Sequence, residues 1–311
     1  MITVDFKPEE LVAKYEPIRK KLCIPCKIGL ILGIPFMLAG FLFLFVGMPL
    51  SNNYIFAVVG AGFVVLSVIL LTIVFTTMNK FNKKVYEEIK NAITDIYFPE
   101  RQEDPKKGFN PEEIINLGFF DPHYNKYTGS NFMSSSVNGI NFRKAEYKFV
   151  KYDNDNDSSG TTTGHGTIYF FDFEREFAAD LKIVERGYPN FNKRKDFKDV
   201  ETEYIDFNKK FRVMTSDEKL VFYILTPQLQ EKILELEKHY KGGFYLDFVN
   251  SDLYFLIDDS HSTREIGVLK AITVERIKKV AFTVATPKII VDTLNLASNK
   301  FKNNAGVNKT H

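Results

Sequence analysis

Two runs without a single charged side chain, Ile28 to Leu50 and Tyr54 to Met78, constrain this chain more than anything else in it. At about 1.5 Å per helical residue the first would extend roughly 34 Å, against a bilayer hydrocarbon core of about 30 Å. A soluble core helix rarely goes so far without a charge, so both runs read as transmembrane helices. The rival reading of the first run is a cleaved signal peptide. The run exceeds the roughly 15-residue apolar stretch of such a peptide, and a second run follows at once, so the uncleaved reading is taken.

Orientation follows from the basic residues at the run ends. Lys14, Arg19, Lys20, Lys21 and Lys27 precede the first run, and Lys80, Lys83, Lys84 and Lys90 follow the second. The connector Ser51-Asn52-Asn53 has no basic residue. Positive charge stays on the cytoplasmic side, so this is a multi-pass cell-membrane protein with both termini and its soluble part in the cytoplasm. The same lysines, Lys20, Lys21, Lys27, Lys80, Lys83 and Lys84, are positioned to hold anionic lipid headgroups. Gly29, Gly33, Gly40 and Gly47 fall on one helical face, opposite Ala57, Gly60 and Ala61 of the second run. Small residues let membrane helices approach closely, and the short turn favours contact inside the hairpin over contact between two chains. Homo-oligomerisation is left open.

Both cysteines of the chain, Cys23 and Cys26, sit in Cys-Ile-Pro-Cys at the edge of the first run. A helix N-terminus and nearby lysines would lower a thiol pKa, which suits a redox pair. No strand precedes the motif, and zinc would need two more ligands that only a second copy could supply. The thiols are therefore expected to be bystanders, with thiol chemistry as the alternative.

The remainder reads as a soluble α+β domain with a mainly antiparallel sheet. Lys7 to Leu22 reads as an amphipathic entry helix bent at Pro17. Phe81, Val85, Ile89, Ile93 and Ile96 continue the second run as a stalk helix that Pro99 stops. Asn110-Pro111-Glu112-Glu113 caps a short helix ending at Gly118. Asn141 to Tyr152 and Thr167 to Phe173 form a hairpin with a long polar tip. Phe177 to Glu185 and Phe207 to Met214 read as strands, and Lys219 to Leu225 as a strand buried on both faces. Thr226-Pro227 opens a helix ended by Gly242-Gly243, and Phe244 to Ile257 is a hairpin turning at Asn250-Ser251. Ile272 to Ala297 reads as mostly helical, with a bend near Pro287. The divisions are an entry helix (1–27), a transmembrane hairpin (28–78), a stalk (79–98), the α+β domain (99–302) and a loose tail (303–311).

Chemical motifs are sparse. Asp153, Asp155 and Asp157 match the start of a calcium loop, but Ser158 and Gly164 stand where glycine and a bidentate glutamate belong, which favours a solvated tip. Gly160 to Thr167 is glycine- and threonine-rich yet lacks the lysine and helix of a phosphate loop, and reads as exposed loop. His123, His165, His239, His261 and His311 are scattered, with none at ligand spacing. No cofactor or metal is expected. A formal net charge of +2, with much of the basic charge beside the runs, disfavours nucleic acid. Two uncharged spans offer no ion path for a channel.

Several stretches together resemble a bacterial two-transmembrane family of unknown function, DUF3137. Asp217-Glu218-Lys219-Leu220-Val221-Phe222-Tyr223-Ile224-Leu225-Thr226-Pro227 is similar to its aspartate … tyrosine-x-leucine-threonine-proline signature. Phe207, Phe211 and Val213 resemble its FxxxFxV element. Gly166, Asp172-Phe173 and Phe177 resemble its glycine, aspartate-phenylalanine, phenylalanine segment, and Tyr124-Asn125-Lys126-Tyr127-Thr128-Gly129 its tyrosine-rich entry to the sheet. Val221-Phe222 depart from it, standing where a small residue and an arginine are frequent. The family brings an architecture and no catalytic residues; it implies a LemA-type membrane protein as partner. The expected function is an uncharacterised membrane-anchored protein whose cytoplasmic domain binds a protein partner or organises a complex at the membrane. An enzyme is not favoured, because no catalytic constellation is present. The alternative is a membrane-tethered enzyme or small-ligand sensor, with a polar pocket lined by Asp172 and Tyr223.

Overall fold

The computed structural model describes residues 6–51, 53–120, 123–124, 126–152, 160–177, 179–188, 196–240, 242–258 and 266–302. The chain divides into two compact units: Met1–Tyr97 with Thr263–Ala285, and Phe98–Ser262 with Thr286–His311. The calcium-like tip 153–157 and the tail from 303 lie outside the described residues.

The first unit is a helical hairpin. α1 (Pro8–Leu42) starts with proline in its first turn and Glu9 and Glu10 at its positive end. It continues through Pro17, Pro25 and Pro35, so the entry helix and the first apolar run are one element rather than two. A wider π turn follows at Phe43–Gly47, then α2 (Met48–Ser51). α3 (Tyr54–Tyr97) opens with Asn53, whose side-chain oxygen accepts from the Ile55 amide at 3.0 Å. α1 and α3 are long and apolar enough to cross a membrane.

The two helices meet along the glycine face. A Cβ on Gly40 would lie 2.9 Å from the Gly60 carbonyl oxygen, and one on Gly60 2.9 Å from the Gly40 carbonyl oxygen. Backbone therefore touches backbone at this crossing. Gly33 meets Leu71, and Gly47 meets Phe56. Beyond the apolar run, Phe81, Val85, Ile89 and Ile93 are buried, as the helical spacing predicts. Ile96 is 53% exposed and does not belong to that stripe.

The second unit is built on a nine-stranded antiparallel sheet, which fits the α+β expectation. Its elements in chain order are β1 (Gln102–Asp104), α4 (Pro111–Ile115), β2 (Lys126–Val137), β3 (Ile140–Lys151), β4 (Thr161–Asp172), β5 (Leu181–Glu185) and β6 (Lys198–Val200). They are followed by α5 (Ile205–Lys210), β7 (Phe211–Thr215), α6 (Glu218–Ile224), α7 (Pro227–Glu237), β8 (Gly243–Val249) and β9 (Asp252–Asp258), and α8 (Val274–Leu294) belongs to the first unit up to Ala285 and to the second from Thr286. The sheet order is β1-β2-β3-β4-β9-β8-β5-β7-β6. Asn250 makes the β8–β9 turn in the left-handed region, φ 54°, which asparagine tolerates.

Four assignments differ from the sequence reading. Lys219 to Leu225 is not a strand: Asp217 accepts from the Lys219 amide at 3.0 Å and starts α6. Phe207 to Met214 is divided between α5 and β7. The strand expected from Phe177 starts only at Leu181. The Gly160–Thr167 stretch is mostly strand, with Thr162 opposite Val150 and Gly166 opposite Tyr147, because β3 pairs with it on both sides of a bulge at Thr163.

One buried cluster joins Tyr147, Phe149, Ile168, Tyr245 and Leu256 of the sheet to Phe109, Ile114 and Phe120 of the segment around α4. Gly108 lies against Gly129 so closely that no side chain fits between them, and Tyr127 donates to the Phe109 carbonyl at 3.0 Å. The tyrosine-rich stretch thus fastens this covering segment. A second aromatic chain runs Phe142, Phe171, Tyr169, Phe255 and Phe244, reaching Tyr240 beyond α7.

Candidate functional site

The cysteine motif lies in the middle of α1, fifteen residues or more past Pro8, so no helix N-terminus acts on it. Both thiols are buried and free, and burial pushes the Cys26 thiol up. Burial opposes an activated thiolate at Cys26. Lys20, Lys21, Lys27, Lys80, Lys83 and Lys84 are all exposed.

Beside them the first unit holds a feature with no local sequence signal. Arg19 grips Glu16 through two bonds of 2.8 and 2.7 Å, and its remaining Nη1 donates to the Val268 carbonyl at 2.9 Å. Glu16 in turn accepts from the Ile272 amide at 2.8 Å, and the paired guanidinium holds its carboxyl below the usual carboxylate range. Asn82 of α3 accepts from the Val268 amide at 2.9 Å. The segment 266–272 is therefore a strap, fastened at Val268 to both α1 and α3 and at Ile272 to α1. Its own Ile266, Val268 and Ile272 are buried.

Charges are also buried within the sheet of the second unit. Lys182 on β5 is 2% exposed and stands opposite Asp247 on β8. It donates to the Leu117 carbonyl and lies 4.3 Å from the centre of the Phe119 ring. Burial, opposed by Asp247, brings its pKa down to about 8. Lys210 bridges Glu185 at 2.6 Å and Glu237 at 2.9 Å, tying β5 to α7. These groups fasten elements together; Lys182 in particular holds the segment around α4 to the sheet.

The solvent-facing counterpart is on α6. Leu220, Val221 and Ile224 turn inward, which leaves Phe222 56% and Tyr223 41% exposed. Tyr223 is held in place. Arg175 donates to its hydroxyl at 2.6 Å and lies 4.9 Å from the ring centre, with Lys300 at 5.5 Å. Lys300 also donates to the Ile224 carbonyl at 3.3 Å, and its partial burial lowers its pKa. Next to Lys300 an open cleft of about 240 Å³ is lined by Thr226, Gln228, Lys232, Asn295 and Ser298 among others. Neither Asp172 nor Tyr223, the residues of the alternative pocket reading, lines the cleft: Asp172 is exposed at the end of β4, opposite Asp252. No cluster of three metal-ligating side chains occurs among the described residues.

Residues 163–296 match the model of a protein family of unknown function, DUF3137, in agreement with the motif resemblance. Among solved structures, the crystal structure of the mycobacterial trehalose monomycolate transport factor A, TtfA, is similar at 5% identity and a TM-score of 0.36. That similarity covers 64% of this chain and 94% of TtfA. No curated protein matches.

Proposed function

We propose, with residues 163–296 as a domain of the DUF3137 family, that the chain is a membrane-anchored protein whose soluble unit works by binding a protein partner. The two apolar helices form a transmembrane hairpin, and both termini and the soluble unit face the cytoplasm. The exposed lysines at the hairpin's base support this orientation, each contributing about 1 kcal/mol of attraction to an anionic leaflet. A LemA-type membrane protein is the partner class the family resemblance suggests.

The observation that carries partner binding is the pair Phe222 and Tyr223. Two adjacent aromatic side chains stand in solvent, one of them braced by an arginine and a lysine. Tyrosine and arginine together are the composition of interface anchors, and a pre-braced ring loses little freedom on docking. A photo-cross-linking amino acid at Phe222 in the full-length chain, in native membranes, should give a discrete protein adduct. The same probe at the exposed Glu231 should not, and R175A should weaken the adduct at 222. No adduct above the Glu231 control would sink this reading.

The cleft beside Lys300 supports a second reading, a sensor for a small anionic ligand. It would be favoured by an anion that raises the melting temperature of the native chain and fails to do so in K232M/K300M.

A further inference from the structure

We propose that the strap is a third membrane contact: Leu269 enters the headgroup layer of the cytoplasmic leaflet, and Lys270 binds anionic phospholipid headgroups there. This rests on the membrane-anchored reading above.

Height along the hairpin comes first. Val268 is fully buried and pinned by Asn82 through its amide and by Arg19 through its carbonyl, each at 2.9 Å. Asn82 lies four residues past Met78, the end of the apolar run. At about 1.5 Å per residue that is roughly 6 Å along α3. The polar layer on each side of a bilayer core is about 5–7 Å thick. On α3 the strap therefore stands at headgroup height, and on α1 Arg19 lies nine residues, roughly 14 Å, before Ile28, so the strap meets the outer edge of that layer.

The side chains fit that depth. Ile266, Val268 and Ile272 are buried, yet Leu269 stays 41% exposed beside an exposed Lys270. An apolar side chain left out of the unit next to a lysine is the pairing that interfacial segments use. Exposed Lys20, Lys80, Lys83 and Lys84 belong to the same unit and make its surface cationic. Charge complementarity and continuity with the two spans both select an anionic bilayer as the occupant, ahead of a protein or a second copy.

The chain has no tryptophan, so single introduced tryptophans report cleanly. Full-length L269W, F45W and F222W would be reconstituted in phosphatidylcholine–phosphatidylglycerol vesicles carrying lipids brominated either near the carbonyl or deep in the chain. Phe45, in the first apolar run, reports anchoring, and Phe222 reports water. L269W should be quenched by the shallow bromine and protected from iodide, while F222W is quenched by iodide alone. Vesicles of phosphatidylcholine only, or K270E, should return L269W toward the aqueous behaviour. If F45W is lipid-quenched but L269W is quenched by iodide like F222W, the proposal is wrong and the anchoring stands. Protection of L269W from both quenchers means a protein covers it, which also overturns the proposal. If F45W escapes lipid quenching too, the anchored reading fails, and the strap proposal with it.

Discussion

The K182M variant is expected to unfold about 10 °C below the native chain at pH 7. Lys182 stands opposite Asp247 in adjacent strands of the sheet, with both side chains buried. Removing the ammonium leaves the Asp247 charge in the sheet without the cation facing it, which costs about 3–5 kcal/mol. It also removes the hydrogen bond to Leu117 that holds the covering segment. For a unit of this size each kcal/mol shifts the midpoint by about 2–4 °C. The double variant K182M/D247L should recover most of the loss, because both facing buried charges are then replaced by apolar bulk. The pH dependence has a definite sign. Burial brings the Lys182 pKa to about 8, against 10.5 for the unburied group. Below about 8 the group is protonated in the folded and unfolded chain alike, and the folded state bears the desolvation cost. Between about 8 and 10.5 the unfolded chain binds the extra proton, so this group's contribution to stability rises with pH. Thermal melts of the native chain and the double variant across that window check it: the rise should be absent in the double variant. A double variant as unstable as K182M would contradict the pairing.

G40I is expected to break the close crossing of α1 and α3, while G62A leaves it intact. The new Cβ at 40 would sit 2.9 Å from the Gly60 oxygen and 3.0 Å from the Val64 amide nitrogen. Neither obstacle can rotate away, as the side-chain tip of Leu71 can beside Gly33. The helices must separate, at a cost of about 3 kcal/mol at the upper end for an overfilled core. A Cβ at Gly62 meets nothing within 4 Å. Alanine there should be neutral or slightly stabilising, by the helix propensity that glycine lacks. The transition of the detergent-solubilised chain under rising SDS measures both. G33A should fall between them. Equal effects of G40I and G62A would mean that the glycine face is not the packing surface.

The elements that sequence reading located are those whose signals are local. Asn110 before Pro111 and Thr226 before Pro227 each bond within their own turn, Asn250 at a hairpin tip takes the left-handed turn conformation, and the structure keeps all three. α6 reads as a strand in sequence because Leu220 to Leu225 is apolar, aromatic and β-branched, a strand composition by propensity. The decisive signal was the Asp217 cap, worth about 1 kcal/mol, and it outweighs that preference in so short an element. The misreading hid the site as well. A strand buried on both faces leaves no exposed aromatic, whereas α6 turns Phe222 and Tyr223 outward. The strap was beyond local reading altogether. Arg19 and Val268 are 249 residues apart, and Ile266 to Ile272 carries no motif of its own. CIPC, which has a familiar spacing, proves to be continuous helix with its two cysteines buried and Ile24 exposed.

The most direct test of the central claim is the sidedness of the chain in intact cells. Single cysteines at Asn53, in the connector, and at Phe222, on α6, would be treated with a membrane-impermeant maleimide, with Cys23 and Cys26 as buried internal controls. A membrane-anchored protein with its soluble unit in the cytoplasm predicts that N53C is labelled from outside, and that F222C is labelled only after permeabilisation. Labelling of F222C in intact cells, with N53C protected until lysis, would contradict it.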